Sequence, residues 1–286
     1  VWWYQRGVWA LLAGSPGSGA STAVAMDFLS DNTVVLAFLE GSVVKVATYA
    51  EGIGWVSLGQ ASYGSATVPA VAVDKHDDIF VAFRDESCGA TTTRCPKAAV
   101  VRHERDEGWA GFGTTSFESW QHPQDWDVVV DEFVLKYVPQ RDRLYFAFLN
   151  FKRQGLVMEV DTSFGNWTRM NNNGITKPAY SLSISAAPDG QLNIGYIDRT
   201  RAAAAVQYWR ESFNERWRNW PEPARDNRVI TSRNTTATPP DSNRDFISID
   251  HDSTGLLYAA IIESNVENSA FPDTIIVLSR RQGDAE

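Results

Sequence analysis

Five short apolar runs in this 286-residue chain end on a side chain that carries oxygen: Glu40, Asp85, Asn150, Asp198 and Glu263. Such a series can serve three chemistries. The plainest is capping, in which a polar side chain at a strand end accepts hydrogen bonds from nearby backbone N–H groups that would otherwise go unpaired. The second is a cation site. Ca²⁺ takes about six to eight oxygens at roughly 2.3–2.6 Å, and several repeats could each supply one. The third is glycoside hydrolysis, which needs two carboxylates roughly 5–9.5 Å apart, one with a raised pKa to serve as general acid. Glu40, Asp85, Asp198 and Glu263 qualify for it by residue type alone. A catalytic acid is normally singular, whereas these residues recur with the segment that carries them. Capping is therefore the preferred reading, and no cofactor is expected, with Ca²⁺ as the one candidate.

The other reactive side chains are sparse. His76, His103, His122 and His251 show no metal-ligand spacing and no Ser-His-Asp pattern. Trp120, His122 and Trp126 crowd into one polar segment and form the best ligand-binding candidate, since aromatic faces stack on sugar rings. Against that stands the plainer role of loop residues folded back on the core. Cys88 and Cys95 are the only cysteines and bracket a short polar loop. They read as a disulfide, because neither their spacing nor their neighbours suit zinc. The sequons at Asn166 and Asn234 agree with a secreted, extracellular protein.

Composition narrows the partners. The net charge of −9 argues against nucleic acid, whose binding needs a concentrated basic surface. No uncharged apolar run is long enough to span a membrane as a helix. The N-terminal Val1-Trp2-Trp3-Tyr4 begins within an apolar segment, so no leader is visible, and the expectation is a processed chain or an excerpt of a longer one.

A repeat positions all these residues. The apolar runs are Val34 to Glu40, Ile79 to Asp85, Leu144 to Asn150, Leu192 to Asp198 and Leu257 to Glu263. Before each lies another strand, ending at Asp27, Asp74, Tyr137, Ser185 or Asp250. The separation between the two strand ends is the same in all but the second repeat, so the pair forms a hairpin of nearly fixed length. Its turn carries Asp31-Asn32, Asp77-Asp78, Asp189-Gly190 or Thr254-Gly255, as tight turns require. A third strand follows at Val43 to Tyr49, Ala98 to His103, Leu156 to Asp161, Ala203 to Tyr208 and Thr274 to Ser279, and a marker tryptophan opens a fourth. These markers are Trp9, Trp55, Trp109, Trp167 and Trp217. Four short strands per unit, a period of about 50 residues and no helical periodicity predict an all-β propeller. The expectation is one domain over 1–286, with five four-stranded blades. The strand at Trp9 would close the last blade, beside Thr274 to Ser279. A six-bladed ring or part of a larger propeller is the alternative, because Val1 to Tyr4 duplicates a third strand.

The stretch Trp55-Val56-Ser57-Leu58-Gly59, then Val71-Ala72-Val73-Asp74 and Ile79-Phe80-Val81-Ala82-Phe83-Arg84-Asp85, resembles the degenerate propeller repeats of secreted microbial and algal proteins. That resemblance implies a fold. The wider class holds sialidases, five-bladed furanoside hydrolases, lectins and structural domains, and this chain lacks the Ser-x-Asp-x-Gly-x-x-Trp box of sialidases. In a meander blade the first-to-second and third-to-fourth turns share one face. The long connections, at Gly14 to Ser21, Cys88 to Cys95, Thr114 to Asp127 and Pro221 to Arg244, fall on the other. Binding tends to reside on such loops. The expected function is a non-enzymatic extracellular module. It would bind a glycan or protein partner through the loop-rich face, within a larger assembly. A carbohydrate-active enzyme is the alternative.

Overall fold

The computed structural model describes residues 2–5, 8–11, 14–19, 21–87, 97–105, 107–113, 129–150, 154–170, 175, 178–198, 203–210, 216–219, 246–263 and 274–281. The chain divides into two compact units, Val1–Ser119 and Trp120–Glu286. Among the described residues no helix is long and apolar enough to cross a membrane.

The first unit begins with a hairpin of β1 (Trp2–Gln5) and β2 (Val8–Leu11). A four-stranded sheet follows, made of β3 (Ser21–Phe28), β4 (Val34–Glu40), β5 (Val43–Ala50) and β6 (Gly54–Gln60). A second holds β7 (Ala66–Val73), β8 (Ile79–Asp85), β9 (Lys97–Glu104) and β10 (Gly108–Gly111). The second unit has a sheet of β11 (Val129–Val138), β12 (Arg143–Asn150), β13 (Gly155–Asp161) and β14 (Thr168–Arg169). Beside it are a sheet of β15 (Ala179–Ala186), β16 (Leu192–Asp198), β17 (Ala203–Arg210) and β18 (Arg216–Asn219), and a three-stranded one of β19 (Phe246–His251), β20 (Leu256–Glu263) and β21 (Thr274–Arg281). Within each sheet the strands pair antiparallel and in chain order. The second strands expected from the repeat are β4, β8, β12, β16 and β20. Among the described residues β2 pairs with β1 alone.

Burial explains the sequence pattern. Second strands such as β4 and β16 are apolar and buried almost throughout, because both faces of their sheet are covered. The first strand β3 alternates, as a strand covered on one side must. Each second strand carries a small residue at its centre: Ala37, Ala82, Ala147, Gly195 or Ala260. The packing shows why. A Cβ on Gly195 would meet Ile249 Cγ2 at 2.9 Å and Ile247 Cδ1 at 3.1 Å, so the first strand of the next sheet lies directly against β16. Ala37 joins Val71 and Val73 of β7 in one apolar cluster, and Ala147 joins Tyr180 and Ile184 of β15 in another.

First strands of neighbouring sheets are stitched by side chains rather than by a backbone ladder. Asp27 Oδ2 accepts from the Val73 N–H at 2.9 Å. In the second unit, Ser181 Oγ accepts from the Ile247 N–H at 2.9 Å and Ser183 Oγ from the Ile249 N–H at 3.0 Å. Ser185 Oγ lies 2.6 Å from His251 Nδ1. These three serines alternate along β15, so one face of the strand offers a row of hydroxyls to β19.

Trp55, Trp109, Trp167 and Trp217 sit at the fourth strand that the repeat assigns them, whereas Trp9 lies on β2, which pairs with β1 rather than with β21 among the described residues. Trp9, Trp55, Trp109 and Trp217 lie on the last strand of their hairpin or sheet, and Trp167 immediately precedes β14. Trp109 donates its Nε1–H to the Leu58 carbonyl of the neighbouring sheet at 2.7 Å. Each of the four strand-borne markers stands opposite a ring-bearing residue: Tyr4, Tyr49, His103 or Trp209. The rings of Tyr49 and Trp55 are 5.2 Å apart and those of His103 and Trp109 are 4.9 Å apart. Cross-strand aromatic pairs of this kind fix register.

Candidate functional site

The five strand-end residues lie where the repeat puts them, at the last positions of β4, β8, β12, β16 and β20. Glu40 and Asp85 serve local structure. Glu40 Oε1 accepts from the backbone N–H groups of Ser18 at 2.6 Å and Gly19 at 2.9 Å, and from the Ser18 hydroxyl at 3.1 Å. Its other oxygen pairs with the Lys45 ammonium. A Cβ on Gly17 would come within 2.7 Å of both this carboxylate and the Phe38 ring, so a larger residue there would have to displace one of them. Asp85 Oδ1 accepts from the Ser87 N–H at 2.8 Å and the Ser87 hydroxyl at 2.5 Å. Asp198 is buried, on a strand paired on both sides.

The electrostatics of Glu40 are those of a cap. The Lys45 ammonium first, then the Ser18 and Gly19 N–H groups, hold its carboxyl at about 2, below its ordinary 4.5. A general acid at neutral pH needs the opposite shift. Because the folded-state value is depressed, the stabilisation from this pairing is present above about pH 4.5. It is lost as pH falls toward 2. Titration of the Glu40 carboxyl carbon by NMR is expected to give a midpoint near 2, and a midpoint of 5 or above would restore it as a catalytic candidate.

Among the described residues no cluster of three or more His, Cys, Asp or Glu side chains is placed to hold a metal ion. Trp120, His122, Trp126, Cys88, Cys95 and Asn234 lie outside the described residues. The same holds for the side chains of Asn150 and Glu263. Asn166 is exposed, just before the buried Trp167. His251 is half-buried between Ser185 and Asn193, with Asn193 Nδ2 at 3.3 Å from its Nε2. Burial lowers its pKa.

Among the described residues, the loop-rich face includes a corner of the first unit that the repeat did not single out. The connection from β6 to β7 is short and held at nearly every residue. The Val44 N–H donates to Ser62 Oγ at 3.0 Å, and that hydroxyl donates to the Gly64 carbonyl at 3.0 Å. Gln60 Nε2 donates to the Ser62 carbonyl at 2.6 Å. The Ala66 N–H reaches the Ser42 carbonyl at 2.7 Å, and the Glu86 N–H reaches the Ser65 carbonyl at 2.8 Å. At Gly64 a Cβ would stand 2.7 Å from Ser87 Cβ, so this loop lies directly on the end of β8. Tyr63, between the anchored Ser62 and Gly64, is 63% exposed. An exposed tyrosine leaves no mark in hydrophobic periodicity, which is why only the structure finds it.

No protein-family model matches the chain, and no curated protein matches it in sequence. Solved structures do match. AofleA from Arthrobotrys oligospora is 10% identical, with a TM-score of 0.61, over 98% of this chain and 74% of its own. The Hadza microbial sialidase Hz136 is 13% identical, with a TM-score of 0.57, over 90% of this chain and 56% of its own. The exo-β-1,3-galactanase of Phanerochaete chrysosporium is 10% identical, with a TM-score of 0.54, over 88% of this chain and 59% of its own. The chain thus spans little more than half the length of those two enzymes. At such identities the likeness is one of fold, and it gives the chain an all-β fold of the propeller type.

Proposed function

We propose that this chain is a non-enzymatic, extracellular propeller module that binds glycans through its loop-rich face. The observation that carries the reading is the use made of the strand-end acids. Glu40 is fixed by three donors from one loop and by Lys45, and Asp85 is turned onto Ser87. Glu40 is held ionised rather than as a proton donor, and among the described residues the loops at 14–19 and 61–65 are tied to the strand ends by hydrogen bonds. Glycan-related proteins among the structural neighbours, the sialidase and the galactanase, support the ligand class. The test is a panel of methyl glycosides and short oligosaccharides, followed by saturation-transfer NMR, with a generic glycosidase assay alongside. Binding without turnover is expected. Turnover of a glycan would transfer the protein to the carbohydrate-active enzymes.

Ring closure belongs to the same proposal. Among the described residues the last sheet has three strands, and the N-terminal hairpin ends in a strand bearing a marker tryptophan, the type that follows the third strand in the other sheets. These support five blades with β2 as the fourth strand of the last. The six-bladed count gains from β1, which β2 already pairs with. An engineered cysteine pair, one on β2 and one on β21, should cross-link if the five-bladed count holds.

An extracellular setting further implies that Cys88 and Cys95 are joined. Mass spectrometry of the unreduced protein should find both thiols blocked to alkylation and a mass two hydrogens lower than after reduction. Two alkylated thiols would refute the pairing. Part of a larger assembly is the proposed context, and Asn166 and Asn234 are its proposed glycan acceptors.

A further inference from the structure

We infer that Tyr63 is the stacking platform of a sugar-binding subsite, built at the corner where the β6–β7 connection meets the end of β8. This rests on the glycan-binding reading above and names the place where the ring sits. Three observations carry it. Tyr63 shows a phenol ring to solvent from a loop whose other members are fixed by five hydrogen bonds. A ring on such a loop is presented without the ordering cost that a mobile loop would add. Second, the loop abuts the segment Arg84-Asp85-Glu86-Ser87 through the Ser65–Glu86 hydrogen bond and the close approach of Gly64 to Ser87. Third, that segment is a shelf of paired polar groups. Arg84 Nε and Glu86 Oε1 are 2.7 Å apart, the Thr67 hydroxyl donates to the same oxygen at 3.4 Å, and Asp85 holds Ser87.

The combination suits a hexopyranose or pentose and little else. The C–H face of a sugar ring is apolar and packs on an aromatic face, while its equatorial hydroxyls demand both donors and acceptors around the rim. Guanidinium and carboxylate fixed side by side supply both, and charged partners make the stronger hydrogen bonds.

The experiment uses the intact chain and the methyl glycosides of galactose, glucose, mannose, fucose, arabinose and sialic acid at millimolar concentration. Saturation-transfer NMR and chemical-shift titration are run on the parent, Tyr63→Ala, Tyr63→Phe and Glu86→Gln proteins. For whichever glycoside binds, Tyr63→Ala should weaken binding by about tenfold or more. Tyr63→Phe, which keeps the ring, should bind within about twofold of the parent. Glu86→Gln should weaken binding while leaving the ring contact visible. Tyr63 is exposed, so both Tyr63 variants should melt with the parent, and a melting comparison separates lost binding from lost fold. Sugar binding that is indifferent to Tyr63→Ala overturns this subsite and leaves the glycan-binding reading standing. No binding by any glycoside overturns both.

Discussion

Replacing Phe146 by Ala should cost about 3–5 kcal/mol of stability, the range for removing a large aromatic side chain from a packed interior. Phe146 is fully buried at the centre of β12. Three aromatic rings surround it. Phe133 of β11 lies at 5.6 Å, Phe148 of its own strand stacks at 5.1 Å, and Trp167 approaches edge-on at 6.1 Å. The ring of Phe146 therefore joins β11, β12 and the marker tryptophan that immediately precedes β14. Collapse of the neighbours into the vacancy is restrained by their own pairing, so most of the cavity should persist. Urea unfolding followed by tryptophan fluorescence measures the loss. A cost below about 1 kcal/mol would mean that the sheet tolerates the cavity and that the aromatic group is not its core.

The second large effect is expected from the opposite change. Gly195→Val should destabilise by about 1–3 kcal/mol or more, through overpacking rather than through a cavity. A valine there places three carbons in space already held by Ile249 Cγ2 and Ile247 Cδ1. Those isoleucines cannot retreat freely, since their N–H groups are bound to Ser181 and Ser183. Gly195→Ala adds one carbon and should cost less. The double change Gly195→Ala with Ile247→Val should recover part of the loss, because it removes the Ile247 Cδ1 methyl that a Cβ at 195 would meet at 3.1 Å. If Gly195→Val melts with the parent protein, the packing of β19 on β16 is not as close as described.

The repeat was legible because its causes are local. An apolar run that ends on a polar residue, an aspartate-rich turn and a tryptophan are each set by a few neighbouring residues. Their recurrence gave strand after strand to within about two residues. The small residue at the centre of each second strand was visible in sequence, but its reason was not, since Ile247 and Ile249 are far from Gly195 along the chain. The aromatic partners Tyr49 and His103 were likewise written in the sequence, and pairing register was needed to set them opposite Trp55 and Trp109. The role of Glu40 was half legible. Its place at a strand end follows from the repeat, while its partners Ser18 and Gly19 come from a loop with no pattern at all. Tyr63 was the least legible. Only hydrogen bonds to its neighbours from β5 and from Glu86, just past the end of β8, show how the loop beneath it is held.

The hydroxyl row on β15 has a consequence for how such a chain changes over generations. Had β15 and β19 joined by a backbone ladder, their union would be fixed by geometry and indifferent to sequence. Here the joint is written in side chains, Ser181, Ser183 and Ser185, and is open to revision one codon at a time. Arrays of repeats hold together through nearest-neighbour terms, so a joint can be retuned without disturbing sheets farther away. A duplicated sheet inherits its hydroxyls and a workable seam with them. Its descendants can then replace serine by aspartate, as Asp27 does opposite Val73, and still hold the next strand. Lineages assembled this way would be expected to share an architecture long after their sequences have ceased to resemble one another.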